Sequence, residues 1–269
     1  MKRKDLNAKS HDEWEEQWQN HWSRIGQPGY ELPTGGAGQE DRDLLASSRT
    51  LENEMERLER INGEFSRAFR TLYPIGPAVT VFGSARFTPR HKYYKLAREV
   101  GGELARAGFA TLTGGGPGVM EAANRGAREN GGASHGLNII LPHEQCTNPY
   151  VDSSVEFRYF FTRKVCLVKY SCAFIVMPGG LGTLDELFEA ATLIQCHKIG
   201  PFPLVLMGTS FWEGMRKWGR FMMRQGVFAP EELGFARVTD SPAEAVELIV
   251  RSLPQSVRAR LAPKPAQSI

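Results

Sequence analysis

A dense group of glycines, followed by a threonine and an acid, comes directly after a short apolar segment in the second half of the chain. After "AFIVMP" the sequence supplies Gly179, Gly180, Gly182, Thr183 and Glu186. Glycine permits positive φ and lets backbone N–H groups approach a ligand without an intervening Cβ. The start of a following helix adds unpaired N–H groups and a partial positive charge. The pattern therefore predicts a phosphate site, with the hydroxyl of Thr183 as a further donor.

Glu186 needs a separate explanation, because a carboxylate next to a phosphate repels it. One interpretation is an acid that the helix dipole favours near a helix start, which is worth about 0.3–1 kcal/mol. Asp185 fits that interpretation better than Glu186 does. The other interpretation is that Glu186 faces a different part of the ligand, such as a sugar hydroxyl or a cationic transition state.

Two further strands end in glycine, in the segments "VFGSAR" (81–86) and "TGGGPGVMEAANRGA" (113–127). For "VFGS" a tight turn explains the glycine equally well. The loops at 114–118 and 179–183 contain more glycine than a turn requires. Neither matches G-x-x-x-x-G-K-[ST], which disfavours a triphosphate P-loop. "GGGPG" also lacks G-x-G-x-x-G and follows the second strand, which disfavours a dinucleotide-binding first turn.

Strand-like and helix-like segments alternate from residue 74 onward, as in "AVTVFG" (78–83) followed by "YYKLAREVGGELARAG" (93–108). Nearly continuous apolar strands indicate a parallel sheet that is covered on both faces. We therefore predict an α/β fold, a doubly wound parallel sheet with an N-terminal helical extension. Ligands bind such sheets at the carboxyl ends of the strands, where the glycine loops lie. The segment "SVEFRYFF" (154–161) is predicted as a further strand.

We divide the chain into four segments. A flexible arm at 1–40 includes a short helix around "HDEWEEQWQNHW", and an amphipathic helical extension follows at 41–73. The domain of alternating strands and helices spans 74–253, and a disordered tail spans 254–269. The apolar residues of the extension recur at helical spacing, which is explained either by packing on the protein's own core or by contact with a partner subunit.

Composition excludes several classes of protein. The 269 residues are 41% hydrophobic and 23% charged, which is typical of a globular chain, and the apolar stretches are too short to span a bilayer. No apolar segment follows the basic N-terminus, so we expect no secretory signal and a cytoplasmic location. The four cysteines form no CxxC pair and are predicted to be reduced thiols. A net charge of +3 is too small to indicate nucleic acid.

Two motifs together resemble a known family. "GGGPGVMEAANRGA" and "PGGLGTLDE", with "FFTRK" before the second, resemble the Lonely Guy family of cytokinin riboside 5′-monophosphate phosphoribohydrolases, often mislabelled lysine decarboxylases. The resemblance covers roughly residues 77–253. Residues 1–73 fall outside the core pattern and resemble an extended branch of the family, which includes enzymes acting on ordinary purine or pyrimidine nucleotides.

The resemblance implies a Rossmann-like homodimer, or a larger homo-oligomer, that hydrolyses an AMP-like nucleoside 5′-monophosphate to a free base and ribose 5-phosphate. It implies no cofactor, no metal and no membrane partner. The implied catalytic pair is Arg163 and Glu186, and the implied phosphate loop is Gly179, Gly180, Gly182 and Thr183. The predicted nucleotide site comprises Gly83, Ser84, Gly115, Gly116, Met120, Glu121 and Lys164. Arg163 is expected either to bind phosphate or to help the departing base.

Other functions remain open at this stage. A nucleotide- or cofactor-binding carrier without catalysis would use the same loops, although it would not need Glu186. The segment "RKWGRFMMRQG" (216–226) combines basic and aromatic residues, as single-strand nucleic-acid sites do. A solvated helix face with its apolar residues turned inward explains that segment better. Lysine decarboxylation needs a pyridoxal phosphate Schiff base, and nothing marks a lysine for that role.

Overall fold

The structure is a computed structural model that describes residues 11–24, 27, 50–141, 147–200, 202–227, 229 and 236–262. The chain divides into two units, residues 1–49 and 50–269. The first unit contains helix α1 (His11–Trp22), where the sequence predicted a short helix. Most of the predicted flexible arm lies outside the described residues. None of the described helices combines the length and the apolar composition needed to cross a membrane.

The second unit is built on a seven-stranded sheet in which every neighbouring pair of strands is parallel. Its elements in chain order are α2 (Leu51–Leu72), β1 (Ala78–Phe82), α3 (Lys92–Arg106), β2 (Ala110–Thr113), α4 (Val119–Glu129), β3 (Ser134–Ile139), β4 (Ser153–Phe157), α5 (Phe160–Lys169), β5 (Ala173–Val176), α6 (Leu181–Gln195), β6 (Leu204–Met207), α7 (Thr209–Arg224), β7 (Ala236–Thr239), α8 (Pro242–Ser252) and α9 (Gln255–Arg258). A turn of 3₁₀-helix, Tyr73–Ile75, joins α2 to β1. The predicted fold class is confirmed.

The strand order β4-β3-β2-β1-β5-β6-β7 fixes where a ligand can bind. From β1 the chain builds β2, β3 and β4 on one side, and then returns to build β5, β6 and β7 on the other. The connections after β1 and β5 therefore diverge and leave a crevice at the carboxyl ends of these two strands. The glycine loops lie at this edge of the sheet.

Two apolar layers hold the helices against the sheet. In β1, Val79 and Val81 face one layer, which includes residues of α3, α4 and α8, whereas Ala78 and Phe82 face the other, which includes residues of α2, α5, α6 and α7. This alternation follows from the two-residue period of a strand. All five residues of β1 are buried, as expected for a central strand covered on both faces.

Helix α2 belongs to the second of these layers. Thr50 caps its start by accepting a hydrogen bond of 3.2 Å from the backbone N–H of Asn53. Near its end, Ala68 and Leu72 are buried in the core. Its first half leaves apolar side chains exposed, namely Leu51, Met55 and Leu58. Core packing therefore explains the C-terminal half of the helix, and the contact with a partner subunit stays a prediction.

Two predicted segments differ from the structure. The strand predicted at 154–161 ends at Phe157, and Phe160 already begins α5. In the turn between them, the N–H of Arg158 donates to a carboxylate oxygen of Glu64 in α2 instead of to a neighbouring strand. The tail predicted to be disordered from residue 254 instead forms α9, and Val257 and Leu261 pack against the core layer of α3 and α8. These two apolar residues, four positions apart, provide the anchor that the sequence interpretation overlooked. Residues 263–269 lie outside the described range.

The described cysteines are free thiols, as predicted: Cys166, Cys172 and Cys196. Burial raises the pKa of the Cys166 thiol to about 12 and that of the Cys172 thiol to about 11. Such thiols stay protonated and unreactive at neutral pH. Cys146 lies outside the described residues.

Candidate functional site

Three loops meet at the carboxyl edge of the sheet, and the backbone of Ser84 joins them. Its N–H donates to the carbonyl of Pro178 over 3.0 Å, and its carbonyl accepts from the N–H of Val119, also over 3.0 Å. A Cβ on Gly83 would lie 2.6 Å from the side chain of Val119, so the β1 loop passes close against the start of α4. Gly83 and Ser84 thus fix the relative positions of the two denser glycine loops.

The 114–116 loop brings the chain backbone against a guanidinium group. Gly115 has a φ of 70°, and a Cβ there would lie 1.9 Å from Oδ1 of Asn138, so only glycine fits. A Cβ on Gly114 would lie 2.4 Å from Nη2 of Arg163 and 2.8 Å from Sδ of Met120. The loop therefore places the side chains of Arg163 and Met120 directly beside its backbone.

A buried amide network supports this loop. Nδ2 of Asn148 donates to the carbonyls of Gly115 and Gly116, each over 3.1 Å, and to Oδ1 of Asn124 over 3.0 Å. Asn124 also accepts from the hydroxyl of Thr113 over 2.7 Å. This network was not predicted from the sequence. The available signal was a single asparagine within the helix after the loop, which is a poor helix former and needs a reason to be there.

Arg163 and Glu186, the predicted catalytic pair, lie together in the interior of the site. Arg163 is in α5 and Glu186 in α6, and their Nη1 and Oε1 atoms are 3.8 Å apart. The side chains are only 9% and 12% exposed. Nε of Arg163 donates to the carbonyl of Leu137 in β3 over 2.8 Å, which orients the guanidinium.

Burial sets the charge of this pair. It raises the pKa of Glu186 to about 7, although the positive charge of Arg163 acts in the opposite direction. Burial likewise lowers the pKa of Arg163, while the charge of Glu186 opposes that shift. Glu186 therefore changes charge near neutral pH, unlike an ordinary glutamate. A carboxyl with such a shift in a cleft is typical of a functional group.

Lys164, one residue after Arg163, is held by two acids. Its Nζ lies 2.9 Å from Oδ1 of Asp185 and 3.1 Å from Oε2 of Glu189. Burial lowers the pKa of Lys164, but the hydrogen bonds to these carboxylates outweigh it and raise the pKa overall. Lys164 thus joins α5 to α6, and its predicted contact with a nucleotide stays a prediction.

The start of α6 is open. A Cβ added to Gly180 or Gly182 would meet no atom of the described residues within 4 Å. The side chain of Leu181 between them is 87% exposed. The Thr183 side chain is buried instead, and its Oγ1 would lie 2.1 Å from a Cβ on Gly179. Open space therefore adjoins the N–H groups at the start of this helix, whereas Thr183 packs beneath the loop.

Glu121, in the first turn of α4, is hydrogen-bonded to a residue of α3. Oε1 of Glu121 accepts a hydrogen bond of 2.7 Å from the hydroxyl of Tyr94. Burial and this bond raise the pKa of Tyr94 to about 12. The bond ties the start of α4 to α3, and the predicted nucleotide contact of Glu121 stays a prediction.

Comparisons with known proteins agree with the sequence motifs. A family model described as "Possible lysine decarboxylase" matches residues 120–249. The cytokinin riboside 5′-monophosphate phosphoribohydrolase of Mycobacterium tuberculosis is 31% identical over 165 residues, which are 59% of this chain and 87% of that protein. The protein of the same description from Mycobacterium marinum is 32% identical over 133 residues, 48% of this chain and 71% of that protein.

Solved structures are also similar to part of this chain. The molybdenum cofactor binding protein from the phototrophic bacterium Rippkaea orientalis matches 65% of this chain and 95% of its own, with 26% sequence identity and a TM-score of 0.48.

Proposed function

Because this chain belongs to the family of cytokinin riboside 5′-monophosphate phosphoribohydrolases, we propose that it hydrolyses the N-glycosidic bond of a nucleoside 5′-monophosphate. Water adds to C1′ of the ribose, the bond from C1′ to the base nitrogen breaks, and the base leaves with the electron pair and a proton. The products are a free base and ribose 5-phosphate. The observation that carries the proposal is the buried pair of Arg163 and Glu186 beside the open start of α6.

Glu186 acts in this reaction as a carboxylate. Loss of the base leaves positive charge on the sugar, and a fixed negative charge in a water-poor site stabilises it more than bulk water does. Arg163 contributes by opposing the effect of burial on Glu186, which keeps the carboxyl partly ionised at neutral pH. Turnover is therefore expected to rise with pH through about 7.

The phosphate binds at the start of α6. Free N–H groups and the helix dipole favour an anion there, and Gly180 and Gly182 leave room for one. Binding at this point orients the sugar, because phosphate and Glu186 are held by the same helix. This arrangement also explains how an acid and a phosphate share one site, since the acid lies deeper and faces the sugar.

Replacing Gly182 with alanine tests the phosphate position. The methyl group meets no protein atom, and alanine in a helix is more stable than glycine by up to about 1 kcal/mol. The variant is therefore expected to melt no earlier than the wild type. It is expected to bind AMP about tenfold more weakly, a change of roughly 1.4 kcal/mol, as measured by isothermal titration calorimetry.

Gly214→Ala is the matched control, because Gly214 is also a helical glycine whose Cβ would meet nothing within 4 Å. It lies in α7 and is expected to leave AMP affinity unchanged. Unchanged affinity in Gly182→Ala would remove the start of α6 from the phosphate site.

The activity itself is tested with a panel of nucleoside 5′-monophosphates. The pure protein is incubated with AMP, other purine and pyrimidine monophosphates, and a cytokinin riboside 5′-monophosphate, and free base is separated by chromatography. Release of base together with ribose 5-phosphate from at least one of them is the expected result. Binding without release from any of them would favour the non-catalytic carrier.

A further inference from the structure

The start of α5, the helix that carries Arg163, lacks a cap of its own. Tyr159 precedes the helix and makes no side-chain hydrogen bond to its free N–H groups. A carboxylate from α2 binds on both sides of this start, to the residue two positions before the helix and to a side chain in its first turn. Oε1 of Glu64 accepts from the backbone N–H of Arg158 over 2.6 Å, and Oε2 accepts from the hydroxyl of Thr162 over 2.5 Å.

Glu64 is buried, with only 4% of its surface exposed. A buried carboxylate is stable only where donors satisfy it, and the positive end of a helix adds to that stability. Both of its oxygens are engaged at the start of α5, and each bond there is charge-assisted and strong. The position of Glu64 thus fixes the position of the residues around Thr162, the neighbour of Arg163.

Other contacts hold α2 along the length of α5. Nε of Arg60 lies 3.3 Å from the hydroxyl of Tyr159, and the guanidinium of Arg57 lies 5.3 Å from the centre of the same ring. At the far end, the rings of Phe69 and Tyr170 are 5.9 Å apart. Helix α2 therefore contacts the residues at both ends of α5. Along α2, Glu64 lies between the arginines and Phe69 that make these contacts.

We propose that Glu64 is a positioning residue for the hydrolysis, and that its carboxylate holds α5 so that Arg163 faces Glu186 at the observed distance. This inference rests on the proposed function for its kinetic consequence. It gives the helical extension, which precedes the motif-bearing domain, a part in the active site. In this proposal Glu64 acts without touching the sugar or the base, through the backbone N–H of Arg158 and the hydroxyl of Thr162.

The test follows the titration of Glu186 in Glu64 variants. The charges that act on Glu186 are Arg163 and Lys164 from α5, and Asp185 and Glu189 from its own helix. Suppose that the start of α5 is released and Arg163 moves away from Glu186 by about 2 Å. Coulomb's law at an effective dielectric constant of about 20 then predicts that the titration midpoint of the Glu186 carboxyl rises by about one pH unit. The pH at half-maximal turnover rises equally.

Three variants give the comparison. Glu64→Gln keeps the shape and removes the charge, Glu64→Ala removes both oxygens, and Glu64→Asp restores a carboxylate on a shorter side chain. The titration midpoint of Glu186 is expected to be lowest in the wild type and to rise through Glu64→Asp and Glu64→Gln to Glu64→Ala. Turnover is expected to fall in the same order. If Glu64→Ala does not fold, Glu64→Gln against Glu64→Asp decides the question.

Two controls separate positioning from general loss of stability. Leu253→Ala shortens a buried side chain in the other core layer and is expected to lower the melting temperature while leaving the midpoint unchanged. Glu213→Gln removes a surface acid of α7 that pairs with Arg216 and Arg220 and is expected to change neither.

The Glu186 carboxyl is also titrated directly, by ¹³C NMR of protein labelled in glutamate, with Glu186→Gln to assign its signal. This measurement does not depend on turnover, so it tests the inference even if the wild type hydrolyses no nucleotide. Glu64 variants that melt earlier but leave the Glu186 midpoint where it is in the wild type would overturn the proposal.

Discussion

Glu186→Gln is expected to lower turnover about 10²–10³-fold while the protein still binds nucleotide. Glutamine keeps the shape of the side chain and some of its hydrogen bonding, but it has no negative charge to offset the positive charge that forms on the sugar. Groups placed to stabilise a transition-state charge are typically worth this much in rate. The measurement is release of free base at saturating nucleotide, with nucleotide affinity determined separately by calorimetry.

The same variant has an opposite and pH-dependent effect on stability. Burial raises the pKa of Glu186 to about 7, whereas a glutamate in an unfolded chain titrates near about 4.3. The folded protein therefore binds the proton more tightly, and the wild type loses unfolding free energy as the pH rises from about 4.5 through about 7. Glutamine does not titrate. The stability of the variant relative to the wild type is thus expected to rise by roughly 2–3 kcal/mol between pH 5 and pH 8.

This result separates the two interpretations of Glu186. An acid that only favours a helix start would stabilise the folded state, so its replacement would lower stability by at most about 1 kcal/mol and leave the rate nearly unchanged. Asp185→Asn is the matched control, because Asp185 is the neighbouring acid on α6 and its side chain is 54% exposed. A folded Glu186→Gln variant as fast as the wild type would rule out catalysis by Glu186 and favour the carrier.

The sheet and its glycine loops were predictable because their signals are local. Short buried strands are nearly all apolar, and the glycines that follow them mark the edge where the loops meet. Arg163 and Glu186 were identified from motif resemblance, and their separation and burial could not be read from spacing, since they lie on different helices. The raised pKa of Glu186 depends on that burial.

The residues that sequence reasoning missed act over long distances in the chain. Glu64 and Thr162, which are hydrogen-bonded, are 98 positions apart in the chain. Asn148 and Gly115, which are also hydrogen-bonded, are 33 positions apart. In the sequence, Glu64 follows Ile61 by three positions and precedes Ala68 by four, so it lies on the apolar face of its helix. An acid on that face indicates that a buried polar group pairs with it, but the neighbouring residues in the sequence do not identify that group.

Lys164 and Thr183 have neighbours that the motifs do not specify, and their predicted ligand contacts stay predictions. Both occupy positions close to the predicted ligand, yet Lys164 is engaged by Asp185 and Glu189, and the hydroxyl of Thr183 lies against Gly179. A motif specifies which residues are near a site. Which of them face the ligand depends on neighbours that come from other helices.

AMP is expected to be hydrolysed with a kcat/KM at least about 10³ times that for adenosine. The phosphate is the part of the substrate that the start of α6 recognises, and two charge-assisted hydrogen bonds of about 2 kcal/mol each account for a factor of this size. Much of the loss is expected in kcat, because binding of the phosphate sets the sugar against Glu186. The measurement compares free adenine released from both substrates over a range of concentrations.

Gly182→Ala provides the internal control for this preference. If the phosphate lies against Gly180 and Gly182, the added methyl group impairs AMP hydrolysis and leaves the slow reaction of adenosine nearly unchanged, so the ratio of the two kcat/KM values falls. Gly214→Ala in α7 should keep the wild-type ratio. Equal rates on AMP and adenosine in the wild type would remove the phosphate assignment, and an unchanged ratio in Gly182→Ala would place the phosphate elsewhere. The open start of α6 would then have no part in choosing the substrate, and the selectivity would have to come from the loops that follow β1 and β2.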